Sequence, residues 1–305
     1  MKTENVSISH KNYTLYTQYQ NNEKLRLEFN RLTQKVWEFD FENYYQSGYW
    51  DDNCILYSLF DGDTIASHTT VSLFTGNSTG ETKTLIQLGT VMTDADYQKQ
   101  GLSRFLMERI LNDFKGKNDG IFLFANETVL DFYPKFGFVP VQEFEAFQHI
   151  KNLNPGERSD KRKLNLDQEA DLKLFENMVE NAVPNTIFQT KNKGLSFFYC
   201  YANPELGYRD SIYFIEDLNC AVVVENEEQT LHILEVFSPS TIDITRVIAS
   251  FTDIPFDEVV LGFTPEQNNF NYRKWKDDDL QLFVTEELEP FFKKQQLIVP
   301  VLSHT

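Results

Sequence analysis

Apolar positions along this chain change period several times, and each change marks an element. Between Leu25 and Trp50 they recur at roughly helical spacing, including Leu25, Phe29, Leu32, Val36 and Phe39. That spacing predicts one or two amphipathic helices ending near Gly48. Two apolar-rich runs follow, Cys54 to Phe60 and Thr64 to Phe74, joined by Asp61-Gly62-Asp63. Asp-Gly between such runs predicts a hairpin, because glycine supplies the positive φ of a tight turn. A second turn, Gly76 to Glu81, leads into Leu85–Thr93, whose length and content predict a buried strand. Asp94 to Gly101 reads as polar loop. From Leu102 to Phe114 apolar residues recur every three or four positions, which predicts a helix. Ile121–Ala125 is a short strand, Val129–Phe136 a brief helix stopped by Gly137, and Phe138–Phe147 strand again.

The segment Lys151 to Lys163 is polar and carries Pro155 and Gly156, so it reads as an inter-domain linker. Residues 1–150 and 164–305 then form two units. The second has a helical pattern over Asp167–Val183 and strands near Ser211–Ile215, Cys220–Val224 and Thr230–Phe237. A helix from Pro239 to Phe251, a strand at Val259–Phe263, and closing segments Leu280–Thr285 and Leu297–Leu302 complete it. Strand, strand, helix, strand is the order of the first half as well. The fold class is therefore α/β with mixed sheets, the second half a diverged copy of the first.

Composition narrows what this architecture can do. Of 305 residues 41% are hydrophobic and 14% aromatic, enough for large cores. No apolar run reaches the ~20 residues of a membrane span, and Met1–Asn30 has no secretory h-region. Cys54, Cys200 and Cys220 form no CxxC pair, which points to a reducing, cytoplasmic setting without a disulfide framework. The net charge is −18, and both halves are acidic, −7 for 1–150 and −11 for 151–305. Such a field repels nucleic acid and anionic lipid and draws in cationic amines. Its plainer meaning is solubility.

The chemistry concentrates at Val91–Arg104. A buried strand enters the loop Gln98-Lys99-Gln100-Gly101-Leu102-Ser103, and a helix begins at once. The unpaired N–H groups and partial positive charge of a helix N-terminus suit a phosphate. Gly101 lets the backbone approach an anion, Ser103 is small, and Lys99 adds a positive charge.

This segment resembles the acetyl-CoA-binding motif of the GNAT superfamily of N-acetyltransferases, Arg/Gln-x-x-Gly-x-Gly/Ala between a strand and a helix. Here it reads Gln98-x-x-Gly101-x-Ser103. Downstream, Asn126, Val129, Tyr133 and Gly137-Phe138 resemble the family's second signature, an Asn ending a strand and then a Tyr-bearing helix before Gly-Phe. The resemblance spans about Leu25 to Phe147. It implies two tandem GNAT-like domains, the second degenerate, with acetyl-CoA wedged where the sheet splays between two strands, and no metal. By the same resemblance Val91, Met92 and Thr93 would meet the pantetheine arm and thioester carbonyl, a backbone N–H stabilising the oxyanion. Gln98, Lys99, Gln100, Gly101, Leu102, Ser103 and Arg104 would hold the pyrophosphate, and Asn126 would contact the cofactor. Tyr133 would protonate the departing thiolate, a phenol of pKa about 10 facing a thiol of about 8.5.

Duller readings stay open beside these. Tyr133 sits among Phe132, Phe136 and Phe138 and suits an aromatic core, while Asn126 and Ser103 suit helix caps. No base is legible. Gln87 occupies the strand where some family members carry Glu, Glu81 lies in a turn, and His68 reads as a satisfied strand histidine. The five histidines show no ligand spacing. The matching junction of the second half, Ser238-Pro239-Ser240-Thr241-Ile242-Asp243, lacks Gly and carries Asp243, which repels phosphate. That half is expected to shape an acceptor pocket or a homo-oligomer interface, with His304 and the terminus held at a specific place. The leading expectation is acetyl transfer from acetyl-CoA to a primary amine on a small molecule or peptide. Its alternatives are a non-catalytic acyl-CoA-binding or interaction protein, and an RNA-dependent aminoacyl transferase, which the charge opposes.

Overall fold

In the computed structural model, residues 1–78, 81–152, 158–204, 207–275 and 280–304 are described. Strands β1 (Lys2–Ile8) and β2 (Lys11–Thr17) pair as an N-terminal antiparallel hairpin. Its outer strand is exposed along most of its length, so it carries no apolar alternation to betray it. Helix α1 (Glu23–Trp37) is capped by Asn22, whose side chain accepts from Leu25 N, and α2 (Glu42–Gln46) follows. The hairpin β3 (Cys54–Asp61) and β4 (Thr64–Ser78) turns at Gly62, φ +61°. Then come β5 (Glu81–Thr93), α3 (Leu102–Asp113), β6 (Gly120–Asn126), β7 (Val139–Pro140) and β8 (Glu143–His149). The second half contributes β9 (Lys161–Lys163), α4 (Glu169–Asn181), α5 (Lys193–Phe197), β10 (Ile212–Ile215), β11 (Cys220–Glu227) and β12 (Thr230–Phe237). It ends with α6 (Ile244–Ala249), β13 (Glu258–Leu261), β14 (Asn271–Trp275), β15 (Leu280–Val284) and α7 (Glu289–Lys294). Among the described residues no helix is long and apolar enough to cross a membrane.

The strands make two sheets, β1-β2-β3-β4-β5-β6-β15-β7 and β14-β8-β13-β12-β11-β10-β9. Each is an antiparallel meander, then one parallel pair, then two antiparallel strands. The parallel pairs are β5/β6 and β12/β13. Beyond the pair, each sheet accepts a strand from the other half: β15 lies between β6 and β7, and β8 lies between β13 and β14. The exchange is reciprocal.

This exchange corrects three expectations. The division at 151–163 does not separate the two sheets, because β8 and β15 each complete the opposite one. Pro155 and Gly156 lie outside the described residues, and the far end of the expected linker is β9. The single strand expected over Phe138–Phe147 is two, β7 and β8, in different sheets; Pro140 has no N–H to continue a ladder. The helix expected over Val129–Phe136 is a pair of short 3-10 turns, 127–129 and 133–136, with Pro134 interrupting.

The closing strand expected at Leu297–Leu302 is a buried extended segment ending in a 3-10 turn, Val301–Ser303. Side chains take up its backbone in place of a ladder: Ile298 N donates to Thr264 Oγ1 and Val299 N to Glu143 Oε1, both at 2.9 Å. Five apolar clusters fill the space around the sheets. Under α3 lie Leu102, Leu106, Met107 and Ile110 against Ile86, Leu88, Ile121 and Leu123. On the opposite face α1 and α2 pack with Phe198 of the second half, which stacks on Phe41 and meets Tyr44 edge-on.

Candidate active site

Strands β5 and β6 pair only from Leu85–Leu88 to Gly120–Leu123. Past that point β5 runs on to Thr93 and β6 to Asn126 without bonding each other, so the sheet opens as a fork. A bulge bends β5 away: its register against β4 shifts between His68 and Thr70, and Thr90 takes φ +44°. A β-branched residue at positive φ is strained, and such strain persists where surrounding structure holds it.

At the tip of the fork, the loop delivers α3 with its N-terminus open. Gly101 is the N-cap residue at φ +83°, and among the described residues no side chain caps the helix. A Cβ placed on Gly101 would meet nothing within 4 Å, so its positive φ, and not crowding, is what favours glycine here. Lys99, at φ +61°, and Gln98 are exposed beside it. Ser103 does not cap its helix; its hydroxyl joins Thr93 Oγ1 at 2.6 Å, and Thr93 Oγ1 joins Ser67 Oγ at 2.9 Å. That pair ties the end of β5 to the first turn of α3.

Other expected residues divide in their duties. Val91 and Thr93 are half-buried along the open part of β5, whereas Met92 is buried among the α1-side apolar groups. Leu102 is a core residue under α3. Gln100 has a structural task, its Oε1 accepting from Tyr13 Oη at 2.9 Å and its Nε2 donating to Asp96 O. Arg104 pairs loosely with Glu108 and lies over the Phe136 ring. Asn126 caps the following turn, Oδ1 accepting from Thr128 N and Oγ1, so the cap reading holds for it; its exposed end closes β6 at the fork.

Tyr133 is buried, with Phe132, Phe138 and Phe283 around it. Phe283 belongs to the strand lent by the second half, so this pocket is finished by both halves. Among the described residues no group hydrogen-bonds the Tyr133 hydroxyl, and burial pushes its pKa up to about 12. Gln87 and His68 are fully buried, and His68 is the satisfied strand histidine expected, with hydroxyls on both ring nitrogens. The side chain of Glu81 lies outside the described residues. Sequence reasoning missed the Thr90 bulge; the signal available was the run of polar residues His68, Thr69 and Thr70 inside an otherwise apolar strand.

The C-terminal segment reaches this fork from the other half. His304 stacks against Phe124 at 4.0 Å, the first β6 residue beyond the last parallel pair, and Tyr199 donates its hydroxyl to His304 O.

A family model described as an acetyltransferase (GNAT) domain matches residues 20–141, the stretch that carries the fork, the open helix and Tyr133. The chain carries a GNAT acetyltransferase domain. Over that stretch the chain is similar to domains of the GNAT superfamily. Solved structures agree at the level of fold. A conserved protein of unknown function from Enterococcus faecalis V583, described as "Probable N-Acyltransferase", is 12% identical with a TM-score of 0.57, over 91% of this chain and 73% of that one. A GCN5-related N-acetyltransferase from Kribbella flavida is 14% identical with a TM-score of 0.55, over 89% of this chain and 71% of that one. Eis1 from Mycobacterium abscessus is 14% identical with a TM-score of 0.50, over 74% of this chain and 63% of that one. No curated protein sequence matches the chain.

Proposed function

We propose that this GNAT protein transfers an acetyl group from acetyl-CoA directly to a primary amine. One observation carries the reading: a helix N-terminus with no side-chain cap among the described residues, led in by Gly101 at φ +83°, stands at the mouth of a fork between two parallel strands. A phosphate there satisfies N–H groups that the protein leaves without acceptors. Residues Gln98 to Arg104 then hold the pyrophosphate, and the open edge of Val91, Met92 and Thr93 receives the pantetheine arm. The neutral amine nitrogen attacks the thioester carbonyl and passes its proton to water, the C–S bond breaks, and the thiolate takes the proton of Tyr133, which water then restores. A phenol raised to about 12 is a weak acid in water. Its proton therefore moves only as the C–S bond breaks and negative charge gathers on sulfur. The −18 charge favours a cationic acceptor, in a setting expected to be cytoplasmic.

A calorimetric titration of acetyl-CoA into the wild type and into Gly101→Trp tests the site. Binding by the wild type alone is expected, followed by CoA thiol release with an amine panel and its loss in Tyr133→Phe. Tyr133, buried in an aromatic cluster and without a hydrogen-bond partner among the described residues, favours a second reading, a core residue in a protein that binds acyl-CoA without chemistry. Acetyl-CoA binding with no thiol release from any amine would select it.

A further inference from the structure

A continuous hydrogen-bonded line runs from the core to the bulge of β5. Tyr19 Oη meets Ser58 Oγ at 2.6 Å, Ser58 Oγ meets His68 Nδ1 at 2.6 Å, and His68 Nε2 meets Thr70 Oγ1 at 2.8 Å. Thr70 Oγ1 in turn meets Thr90 Oγ1. Tyr19, Ser58 and His68 are wholly buried, Thr70 is nearly so, and Thr90 is half-buried at the fork.

Proton counting fixes the direction of this line. Burial holds His68 neutral, its pKa pushed down to about 3, so its ring carries one N–H and offers one acceptor. Each of the four hydroxyls has one proton. Four hydrogen bonds therefore share five protons, and one hydroxyl keeps a proton that no member of the line accepts. If the bonds ran inward, or met head-on at Ser58 or Thr70, that proton would sit on a buried hydroxyl with no further acceptor among the described residues, which is costly. Running outward, Tyr19 donates to Ser58, Ser58 to Nδ1, Nε2–H to Thr70, and Thr70 to Thr90. The spare proton then points from Thr90 into the fork, where a ligand or water accepts it.

Resting on the acyl-transfer reading above, we infer that the Thr90 hydroxyl is a pre-aimed hydrogen-bond donor to the thioester carbonyl oxygen. His68 acts as a positioning residue that sets its proton direction. Thr90 directly precedes Val91–Thr93, the open edge assigned to the thioester, and lies on the bulge that opens it. A donor whose own oxygen is already occupied by Thr70 needs no reorientation as negative charge grows on the carbonyl, which is where a fixed donor acts most strongly.

Two measurements test this. In Thr90→Val, kcat is expected to fall roughly a hundredfold or more with KM for both substrates nearly unchanged, and Thr90→Ser to keep most of the activity. An unchanged kcat, or a loss confined to the KM of the amine, overturns the assignment. Nitrogen-15 NMR of His68, correlated through its own side-chain carbons in the wild type, is expected to show the Nε2–H tautomer across neutral pH. A proton on Nδ1 overturns it without any variant having to fold. If the wild type neither binds acetyl-CoA nor releases thiol, the acyl-transfer reading fails and takes the role at the carbonyl with it, while the tautomer still decides the direction of the line.

Discussion

The two forks of this molecule share a topology and differ in what occupies them. In the first, β5 and β6 part after Leu88 and Leu123 and leave an open cleft with an uncapped helix at its mouth. In the second, β12 and β13 part after Ile233 and Leu261, and the chain's own C-terminal segment enters. Gly262 N donates to Ile233 O and Val301 N to Gly262 O, both at 2.9 Å. A Cβ on Gly262 would lie 2.6 Å from Val301 Cγ2, so the plug is tight. The facing helix end is closed too: Asp243 accepts from Thr245 N, and Gln267 Oε1 from Ile244 N. The same parallel pair thus makes an open fork where, among the described residues, no side chain caps the helix, and a sealed joint where protein acceptors meet the donors. The second fork holds the tail. That tail ends against Phe124 at the first fork, so the sealed fork aims the C-terminus at the open one.

The reciprocal strand exchange supplies the strongest way to break this comparison. Residues 1–150 alone lack β15, which lies between β6 and β7 and brings Phe283 to Tyr133. The fragment is expected to show no cooperative urea transition, while co-expression with 151–305 restores one. Cooperative unfolding of the fragment alone would show that the halves are independent.

The plug itself is next. Leu302 is buried with Phe175, Leu234 and Phe237. Leu302→Ala is expected to cost about 2–4 kcal/mol in urea unfolding. Acetyl-CoA affinity should hold, since the open fork keeps its loop. A matching loss of affinity would mean that the two forks are coupled through the tail.

Acid and base separate the two forks by sign. His68, on the sheet of the open fork, has its pKa lowered by burial from the ordinary 6.5 to about 3. Below pH 6.5 the unfolded chain takes up a proton that the folded chain refuses. Stability is therefore complete above 6.5 and falls by about 2 kcal/mol on descending to pH 5. Glu235, on β12 at the sealed fork, has its pKa raised by burial from 4.5 to about 7. Its contribution is complete below pH 4.5 and is lost as pH rises through 7, because only the folded chain keeps the proton. Urea midpoints across pH should show Glu235→Gln gaining on the wild type above pH 7, the smallest effect of the set. A parallel pH course for the two proteins would mean that Glu235 stays exposed to water.

Much of the first fork was legible along the chain. Gly101 in a strand-to-helix turn, Ser103 after it and the apolar period of α3 are local features, and local chemistry decides them. The N-terminal hairpin was not legible because β1 is exposed and lacks alternation. The strand boundary at Pro140 and the 3-10 turns around Pro134 were misread because apolar content hid two prolines that end hydrogen-bonded runs. Tyr133 was legible as a motif residue, yet nothing near it in sequence names Phe283, its neighbour from the other half.

By itself, then, the sequence determined helices such as α1 and α3, the hairpin at Gly62 and the glycine turn that leads into α3, because period, glycine and capping chemistry act over a few residues. Only the tertiary structure decided which sheet β8 and β15 complete, which fork stays open, and which hydroxyls join Tyr19 to Thr90 through His68. Those depend on contacts between residues far apart in the chain, where unpaired strand edges and buried donors take whatever acceptors the fold brings to them.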